Sequence, residues 1–189
     1  AGTPEQLGMS GAPPFVKVPP ETKAQREMAL DTSYVSVIDS QGNAFSATPS
    51  DGTYASPIIP GTGFVPSPRG VQSWTDSDHP ACVAPGKRPR LTPNPALAIR
   101  AGEFVMPFGT PGGDVQCQAM LQVLMNILLF DMNPQAAVEA PRFATYSFPN
   151  SFAPHEVYPG RVNLEARIAQ QTEAELAARG HDVWKWPDW

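Results

Sequence analysis

An alternating run of apolar and polar residues near the start of the chain constrains the fold more than any other feature. The stretch TSYVSVIDSQGNAFSAT contains two such runs, Tyr34 to Asp39 and Asn43 to Thr48, separated by a Gln-Gly-Asn turn. Alternation with a period of two is typical of strands, and a glycine in the turn permits the positive φ that a tight hairpin requires. The sequence therefore predicts an antiparallel hairpin with Thr32 and Ser50 at its open end.

Long loops, a second hairpin and several helices are predicted for the rest of the chain. The 23 prolines and 15 glycines among 189 residues include a dense series between Pro49 and Pro95, which predicts a packed loop region. The elements predicted beyond it are a hairpin over Ala96–Arg100 and Glu103–Phe108, helices over about 115–130 and about 164–179, a short helix from Asn133-Pro134, and a strand in HDVWKW. Hairpins followed by helices predict an α+β fold with layers of sheet and helix, and not a parallel βαβ array.

The chain is predicted to contain a linker and one domain. Residues 1–31 are rich in proline, glycine and threonine and are predicted to be a linker, with one short helical segment around Glu21 to Met28. Residues 32–189 are predicted to form the folded domain, because the predicted hairpins and the longer helices lie there.

Composition excludes several classes of partner. The formal net charge is -5 and no long block of basic residues occurs, which argues against a nucleic-acid-binding surface. The most apolar stretch, Met120 to Phe130, is too short to span a bilayer and is interrupted by Gln122 and Asn126. It is predicted to be a core helix, and no membrane partner is expected. Cys82 and Cys117 are far apart and have neither metal-site nor disulfide-framework spacing.

Thr32 is a candidate nucleophile. A threonine hydroxyl needs an adjacent base, and one solution used by proteins is the free α-amine of the same residue. That solution requires cleavage of the Asp31–Thr32 peptide bond, which a precursor can perform on itself. Ser50 returns to the same end of the hairpin, so its hydroxyl is expected to hydrogen-bond and orient the Thr32 side chain.

The Gly112-Gly113 pair is a candidate oxyanion hole. Its backbone N–H groups precede a helix, for which Asp114 is the predicted N-cap, and such donors stabilise negative charge without reorganisation. Ordinary structural explanations also exist, because threonine is frequent at strand starts and Pro-Gly-Gly is a common strand-to-helix connection. The combination of Thr32 with the glycine pair is a stronger indication of catalysis than either feature alone.

The other chemistry-bearing side chains are predicted to be structural. His79 lies in DSDHP, where Asp and His are typical of turns and no second ligand group follows at metal-site spacing. Cys117, in the first turn of the helix after Gly-Gly, is predicted to be a small buried residue. The tryptophans at positions 184, 186 and 189 alternate along a strand-like tail and are predicted to cover a subunit contact.

Several motifs occur in a defined order along almost the whole chain. They are DTSYVSVIDSQGNAFSAT, PGKRPRLTPNP, FGTPGGDVQ, LQVLMNILLFDMNPQAAVEAPRF and ARGHDVW. In this order they resemble the small-subunit region of the γ-glutamyltransferase, or γ-glutamyltranspeptidase, family, and PPFVKVP is similar to the end of its large-subunit portion. The resemblance implies an N-terminal nucleophile hydrolase with an αββα sandwich, to which residues 32–189 contribute the small-subunit half and residues 1–31 the end of the large-subunit portion.

The resemblance also implies a role for each matching residue. Thr32 matches the nucleophile that is freed when the precursor cleaves itself, and Ser50 matches the second hydroxyl that supports it. Gly112 and Gly113 match the oxyanion-hole pair, with Thr110 in place of the family's serine. The threonine would attack a γ-glutamyl amide, and water or an acceptor amine would resolve the acyl-enzyme. No metal and no other cofactor is implied.

The substrate pocket departs from the family pattern. Leu91 and Thr92 stand where two serines hold the substrate's α-carboxylate, and Gln72 stands near the acidic residue that pairs with its α-amino group. Asp51 adjoins the position of a family asparagine. Arg69 falls near a polar position of the same pocket, where it either meets a substrate carboxylate or is a solvated loop arginine. Asp51, Arg69, Gln72 and Thr92 are therefore the candidate substrate-binding residues.

Three functions are compatible with this pattern. The first is a self-processing threonine amidohydrolase or acyltransferase like the γ-glutamyltransferases, acting on a γ-glutamyl or related small amide. The second is a hydrolase of the same fold for another acyl amide, such as an oxamate-like or cephalosporin side-chain amide, which the missing carboxylate near Gln72 favours. The third is a catalytically silent homologue, favoured by a chain that starts at Ala1 and not at Thr32.

The resemblance implies partners as well as a reaction. The expected partner is the large-subunit portion of the same precursor, in a heterodimer or a multimer of heterodimers, and the expected ligand is a small-molecule amide. The domain is expected to end earlier, at Trp189, than its family members do.

Overall fold

The structure is a computed structural model that describes residues 32–50 and 58–187. Residues 1–31, predicted to be a linker, lie outside the described residues. They include the helical segment predicted at Glu21 to Met28 and the Asp31 side of the predicted cleavage bond. Asp51 and Trp189 also lie outside the described residues. The described residues contain both sheets and helices, which confirms the α+β class.

The first predicted hairpin is confirmed. Strand β1, Val35–Ile38, pairs antiparallel with β2, Ala44–Ala47. Gly42 in the connecting turn has a φ of 84°, which a residue with a side chain rarely adopts. The carboxylate of Asp39 closes the turn by accepting hydrogen bonds from the backbone N–H groups of Gln41, at 2.8 Å, and Asn43, at 2.9 Å. Hydrogen bonds from Asn43 lower the pKa of Asp39 from its ordinary value of 3.8.

The second hairpin is also confirmed and packs against the first. Strand β3, Ala96–Arg100, pairs antiparallel with β4, Phe104–Phe108. Strand β2 contacts β4, and Tyr34, just before β1, lies against Gly109, just after β4. The open end of the first hairpin is therefore held next to the segment that follows β4.

Two helices follow this segment. A short 3-10 turn, Gly113–Val115, leads into helix α1, Gln116–Leu128, and helix α2, Pro134–Glu139, begins after Asn133. The Oδ1 atom of Asn133 accepts a hydrogen bond of 2.9 Å from the Ala136 N–H, so this residue is an N-cap as predicted. Helix α1 packs against α2.

The third sheet contains three strands, two of which were not predicted from the sequence. Its order is β5, Phe143–Thr145, then β6, Arg161–Glu165, then β7, Asp182–Trp186. Strand β5 is antiparallel to β6, whereas β7 is parallel to β6, with helix α3, Gln170–Ala178, in the crossover. One βαβ unit, formed by β6, α3 and β7, is therefore present, although the described residues contain no parallel βαβ array.

The helix predicted over about 164–179 begins too early. Leu164 is a buried residue of β6, and α3 starts only at Gln170. The four-residue spacing of Leu164 and Ile168 imitates one face of a helix. Pairing of β6 with a strand on each side determines the outcome, because it satisfies the backbone of Leu164 and buries its side chain.

Glutamines of α1 attach the helix to the edge of the third sheet. Gln118 donates from Nε2 to the Thr145 carbonyl, at 3.1 Å, and accepts from the Thr145 N–H, at 2.8 Å. Gln122 repeats this pattern with Phe143, at 2.8 and 3.1 Å. The carboxamides therefore act as a substitute strand along β5 and satisfy its outer backbone groups.

No helix within residues 32–50 and 58–187 combines the length and the hydropathy that crossing a membrane requires.

Large apolar side chains remain exposed on both hairpins and on α1. The exposed apolar residues include Val35, Val37, Phe45, Leu97, Ile99, Leu121 and Met125. Val37 and Phe45 are opposite each other in the first hairpin, and adjoining exposed apolar side chains are typical of an interaction site.

Candidate functional site

Thr32 and Ser50 face each other at the open end of the first hairpin. The pairing of β1 with β2 continues beyond the strands, because the Ser33 N–H donates to the Pro49 carbonyl at 2.9 Å. The same register places Thr32 opposite Ser50, and their two hydroxyl groups are hydrogen-bonded. Ser50 is 7% exposed and Thr32 is half-buried. The predicted hydroxyl contact is therefore present.

Arg69 bonds to Ser50, one member of this hydroxyl pair. A 3-10 turn, Pro68–Gln72, places its guanidinium so that Nε donates to the Ser50 carbonyl at 2.8 Å, while Nη2 donates to both the carbonyl and the hydroxyl of Ser50. Nη1 donates to Oγ1 of Thr92 at 3.2 Å. The alternative of a solvated loop arginine is wrong, because these bonds hold the side chain in a half-buried position.

Gln72 and Thr92 complete the cluster. Gln72 is fully buried, and its Nε2 donates to Oγ1 of Thr92 at 2.9 Å, while the Thr92 N–H donates to its Oε1 at 3.3 Å. Thr92 Oγ1 therefore receives hydrogen bonds from both Gln72 and Arg69. The structure joins Thr32, Ser50, Arg69, Gln72 and Thr92 in one hydrogen-bonded network, here called the hydroxyl cluster.

The glycine pair lies at the N-terminal end of α1. Gly112 and Gly113 have φ values of 128° and 56°, a region that L side chains rarely adopt. A Cβ built on Gly113 would lie 3.7 Å from the ring of Phe152, and the guanidinium carbon of Arg69 lies 5.9 Å from the centre of that ring. Phe152 thus connects the glycine turn to the hydroxyl cluster, whereas no hydrogen bond among the described residues joins Thr32 to either glycine.

Asp114 fixes the loop that carries Phe152. Its carboxylate accepts hydrogen bonds from both the N–H, at 2.7 Å, and the hydroxyl of Ser151, and lies 3.7 Å from Arg90 Nη2. The prediction that Asp114 caps the helix is wrong, because no side chain caps the 3-10 turn or α1. The bond to buried Ser151 instead holds Phe152 beside the glycine turn.

The histidines and cysteines are not assembled into a site. His79 and His155 stack on opposite sides of Trp74, with ring centres 4.2 and 3.6 Å away. The described residues contain no group of histidine, cysteine and acidic side chains able to hold a metal ion. Cys117 is exposed, so the prediction of a buried residue is wrong; on α1 it is the adjacent Gln118 that bonds to the sheet.

Three residues near the site were not predicted from the sequence: Phe152, Ser151 and Gln116. Phe152 and Ser151 reach the site through contacts that span tens of residues, and no local pattern indicates them. The position of Gln116 could have been predicted from the sequence. It follows Gly112 by about one helical turn, and helical side chains point toward the N-terminus, so its side chain is expected near Gly112.

The fold and the site define an α+β protein with clustered hydroxyl groups beside a glycine turn at a helix N-terminus. The family model described as Gamma-glutamyltranspeptidase matches residues 8–189. The chain belongs to the γ-glutamyltranspeptidase family.

The curated relatives have several different names. The chain is 32% identical over 164 residues to the acylase ACY 1 proenzyme of Pseudomonas sp. strain SE83, covering 84% of this chain and 27% of the relative. It is 30% identical over 174 residues to the glutathione hydrolase-like YwrD proenzyme of Bacillus subtilis, covering 89% and 31%. It is 31% identical over 160 residues to the oxamate amidohydrolase proenzyme of Klebsiella pneumoniae, covering 81% and 28%. The chain therefore spans less than a third of these relatives.

Solved structures share the fold. The structure of LmbA2991HD matches with a TM-score of 0.75 and 40% identity, covering 82% of this chain and 28% of that chain. A mutant γ-glutamyltranspeptidase of Helicobacter pylori matches with a TM-score of 0.64 and 25% identity, covering 81% of this chain and 84% of that chain.

Proposed function

We propose that this chain is the small-subunit half of a self-processing amidohydrolase or acyltransferase that uses Thr32 as its nucleophile. The observation that carries the proposal is the hydrogen bond between the Thr32 and Ser50 hydroxyls at the end of the hairpin. A hydroxyl that receives or donates a hydrogen bond in a half-buried site is held in one orientation, which nucleophilic attack requires.

The reaction begins with cleavage of the Asp31–Thr32 bond, which frees the Thr32 α-amine. The amine takes the proton of Oγ1 as this oxygen bonds to the carbonyl carbon of the substrate amide. Backbone N–H groups of Gly112 and Gly113 stabilise the resulting oxyanion. The proton then passes to the leaving nitrogen as the C–N bond breaks. Water or an acceptor amine attacks the acyl ester and returns the proton to Oγ1.

Arg69 orients Ser50 and adds positive charge to the site. Its guanidinium donates to both the carbonyl and the hydroxyl of Ser50, so Ser50 directs its remaining hydrogen-bonding capacity toward Thr32. A fixed guanidinium at this point also attracts an anionic substrate group. Asp51 and Thr92 stay candidates for substrate contact, Thr92 because it lies within the hydroxyl cluster.

A second candidate function concerns the acyl group. Gln72 is neutral and fully buried beside Thr92, in the region where the family pattern has a carboxylate for the substrate's ammonium group. An ammonium buried without an acidic partner is costly, whereas an acyl group with a carboxylate and no α-amine suits Arg69. These observations favour an amidohydrolase for a small anionic acyl amide over one for γ-glutamyl amides.

The expected partner is the large-subunit portion of the same precursor. The chain covers 27% of the acylase proenzyme but 84% of a chain in the Helicobacter pylori structure, which supports a small-subunit assignment. In this assignment residues 1–31 are the end of the large-subunit portion and residues 32–189 the small-subunit domain of an αββα sandwich. The apolar faces of the hairpins, where Phe45 is 57% exposed and Ile99 66%, give the partner surface to cover.

Intact-mass analysis of the full precursor tests self-processing. A fragment that begins at Thr32 is expected from the wild type, and the Thr32→Ala variant is expected to stay whole. An uncleaved, inactive wild type would instead support a catalytically silent homologue.

Substrate assays of the cleaved protein separate the two candidate reactions. We expect faster turnover of glutaryl para-nitroanilide than of γ-glutamyl para-nitroanilide, because only the second carries an α-ammonium group. Efficient turnover of the γ-glutamyl compound would contradict the second candidate and leave the first standing.

A further inference from the structure

The glutamines at the start of α1 differ in how their side chains are satisfied. Gln118 and Gln122 each use both polar atoms of the carboxamide on the backbone of β5. Gln116 is only 1% exposed, yet its Oε1 has no hydrogen-bond partner among the described residues. Buried carbonyl groups are nearly always hydrogen-bonded, so an exception of this kind requires an explanation.

Gln116 lies against the glycine turn. It is the first residue of α1, its side chain runs back toward the helix N-terminus, and a Cβ built on Gly112 would lie 4.0 Å from its Cγ. The unpartnered Oε1 is therefore a buried acceptor on a side chain whose Cγ lies against Gly112, part of the backbone that we propose as the oxyanion hole. This position is distinct from the contacts of Gln118 and Gln122, which face the sheet.

The glycine N–H groups and Oε1 of Gln116 are complementary to the two polar groups of an amide, its carbonyl and its N–H. The backbone N–H groups of Gly112 and Gly113 donate, and a substrate carbonyl oxygen accepts. Oε1 of Gln116 accepts, and the N–H of a carboxamide donates. An ester has the same carbonyl but has no N–H, so it leaves Oε1 without a partner. A site that is built to hydrogen-bond an N–H discriminates against analogues that lack it.

We propose that Gln116 accepts a hydrogen bond from the N–H of the scissile amide and so makes the site selective for carboxamides over esters. The inference rests on the proposed function, because it places the scissile bond at the Gly112-Gly113 turn. Gln116 acts as a specificity-determining residue in this arrangement and not as the base or nucleophile.

The experiment uses the processed wild-type protein and an isosteric variant. Kinetics are measured with glutaryl para-nitroanilide and with the para-nitrophenyl monoester of glutaric acid, which share one acyl group. Gln116→Met keeps the length of the side chain but removes its acceptor. We expect kcat/KM for the anilide to fall about tenfold, which is the effect of losing one hydrogen bond. For the ester, kcat/KM should stay within about twofold of the wild type.

Matched variants separate recognition from structure. Gln122→Met removes a carboxamide of the same helix that bonds to β5, so it should lower the unfolding temperature without changing the ratio of anilide to ester activity. Gln116→Glu keeps an acceptor at the same position. It should recover part of the anilide-to-ester ratio lost in Gln116→Met, even though its charge near the oxyanion slows both reactions.

The outcomes distinguish this inference from the proposed function. If Gln116→Met lowers anilide and ester activity equally in a protein that unfolds at the wild-type temperature, the role of Gln116 is overturned and the proposed reaction stands. If the wild type hydrolyses neither these compounds nor γ-glutamyl para-nitroanilide, or if Thr32→Ala keeps the wild-type activity, the proposed function fails and the inference fails with it.

Discussion

The ring of Tyr34 lies directly against the backbone of Gly109. A Cβ built on Gly109 would be 2.4 Å from Cδ2 of Tyr34, closer than real side chains approach. The hydroxyl of the same tyrosine is hydrogen-bonded to Ser46 of β2, at 3.0 Å. Tyr34 therefore links the first hairpin, two residues after Thr32, to the segment that leads from β4 to the glycine turn.

Substitution of Gly109 should disturb both stability and the site. We expect Gly109→Ala to lower the free energy of unfolding by about 1–3 kcal/mol, because the methyl group and the Tyr34 ring cannot share the space. Denaturant unfolding measures this change. Gly70→Ala is the control, since a Cβ there has nothing within 4 Å and should be tolerated. Equal effects of the two substitutions would contradict the close packing of Tyr34 on Gly109.

Loss of the Ser50 hydroxyl should slow the proposed chemistry. Ser50→Ala removes a group that bonds to both Thr32 and Arg69. We expect the rate of self-cleavage and kcat to fall about tenfold to a hundredfold, the range for hydrogen bonds to charged groups. Ser50→Thr keeps the hydroxyl and should retain most of the activity.

Ser46→Ala serves as the comparison for Ser50. Ser46 lies on β2, the strand that leads to Ser50, and its hydroxyl bonds to Tyr34 and not to Thr32. The Ser46→Ala substitution should therefore lower the stability of the protein more than it lowers kcat. A Ser50→Ala protein that cleaves itself and turns over substrate at the wild-type rate would show that the hydroxyl contact has no catalytic role.

Local patterns predicted the hairpins but not the long-range contacts of the site. Alternation and a turn glycine were sufficient for β1 and β2, and they also placed Thr32 beside Ser50. Strand β6 was missed because Leu164 and Ile168 have helical spacing, whereas pairing on both edges decides the structure. The bonds of Arg69 to Ser50 connect residues far apart in sequence, and periodicity carries no information about them.

Arg69 should favour anionic acyl groups. Arg69→Met removes the guanidinium that bonds to Ser50, so activity should fall for every substrate. The loss should be larger for glutaryl para-nitroanilide than for butyryl para-nitroanilide, because only the first carries a carboxylate. The ratio of the two kcat/KM values isolates the charge effect from the loss of support for Ser50. An unchanged ratio would leave Arg69 with a structural role alone.

The turn of the first hairpin should make stability depend on acid pH. Hydrogen bonds from Asn43 and from nearby backbone N–H groups lower the pKa of Asp39 below 3.8 in the folded protein. A lowered folded-state pKa means that the ionised carboxylate stabilises the fold above the unfolded value, and that this contribution is lost as the pH falls through the folded value.

Replacement of Asp39 isolates this contribution. Asp39→Asn should therefore be less stable than the wild type at neutral pH, and the difference should shrink below about pH 4, where the unfolded-state carboxyl is protonated. Thermal unfolding of both proteins across this pH range measures the difference in stability between them. A difference that stays constant with pH would show that the charge of Asp39 is not what holds the turn, and that its amide replacement differs for steric reasons instead.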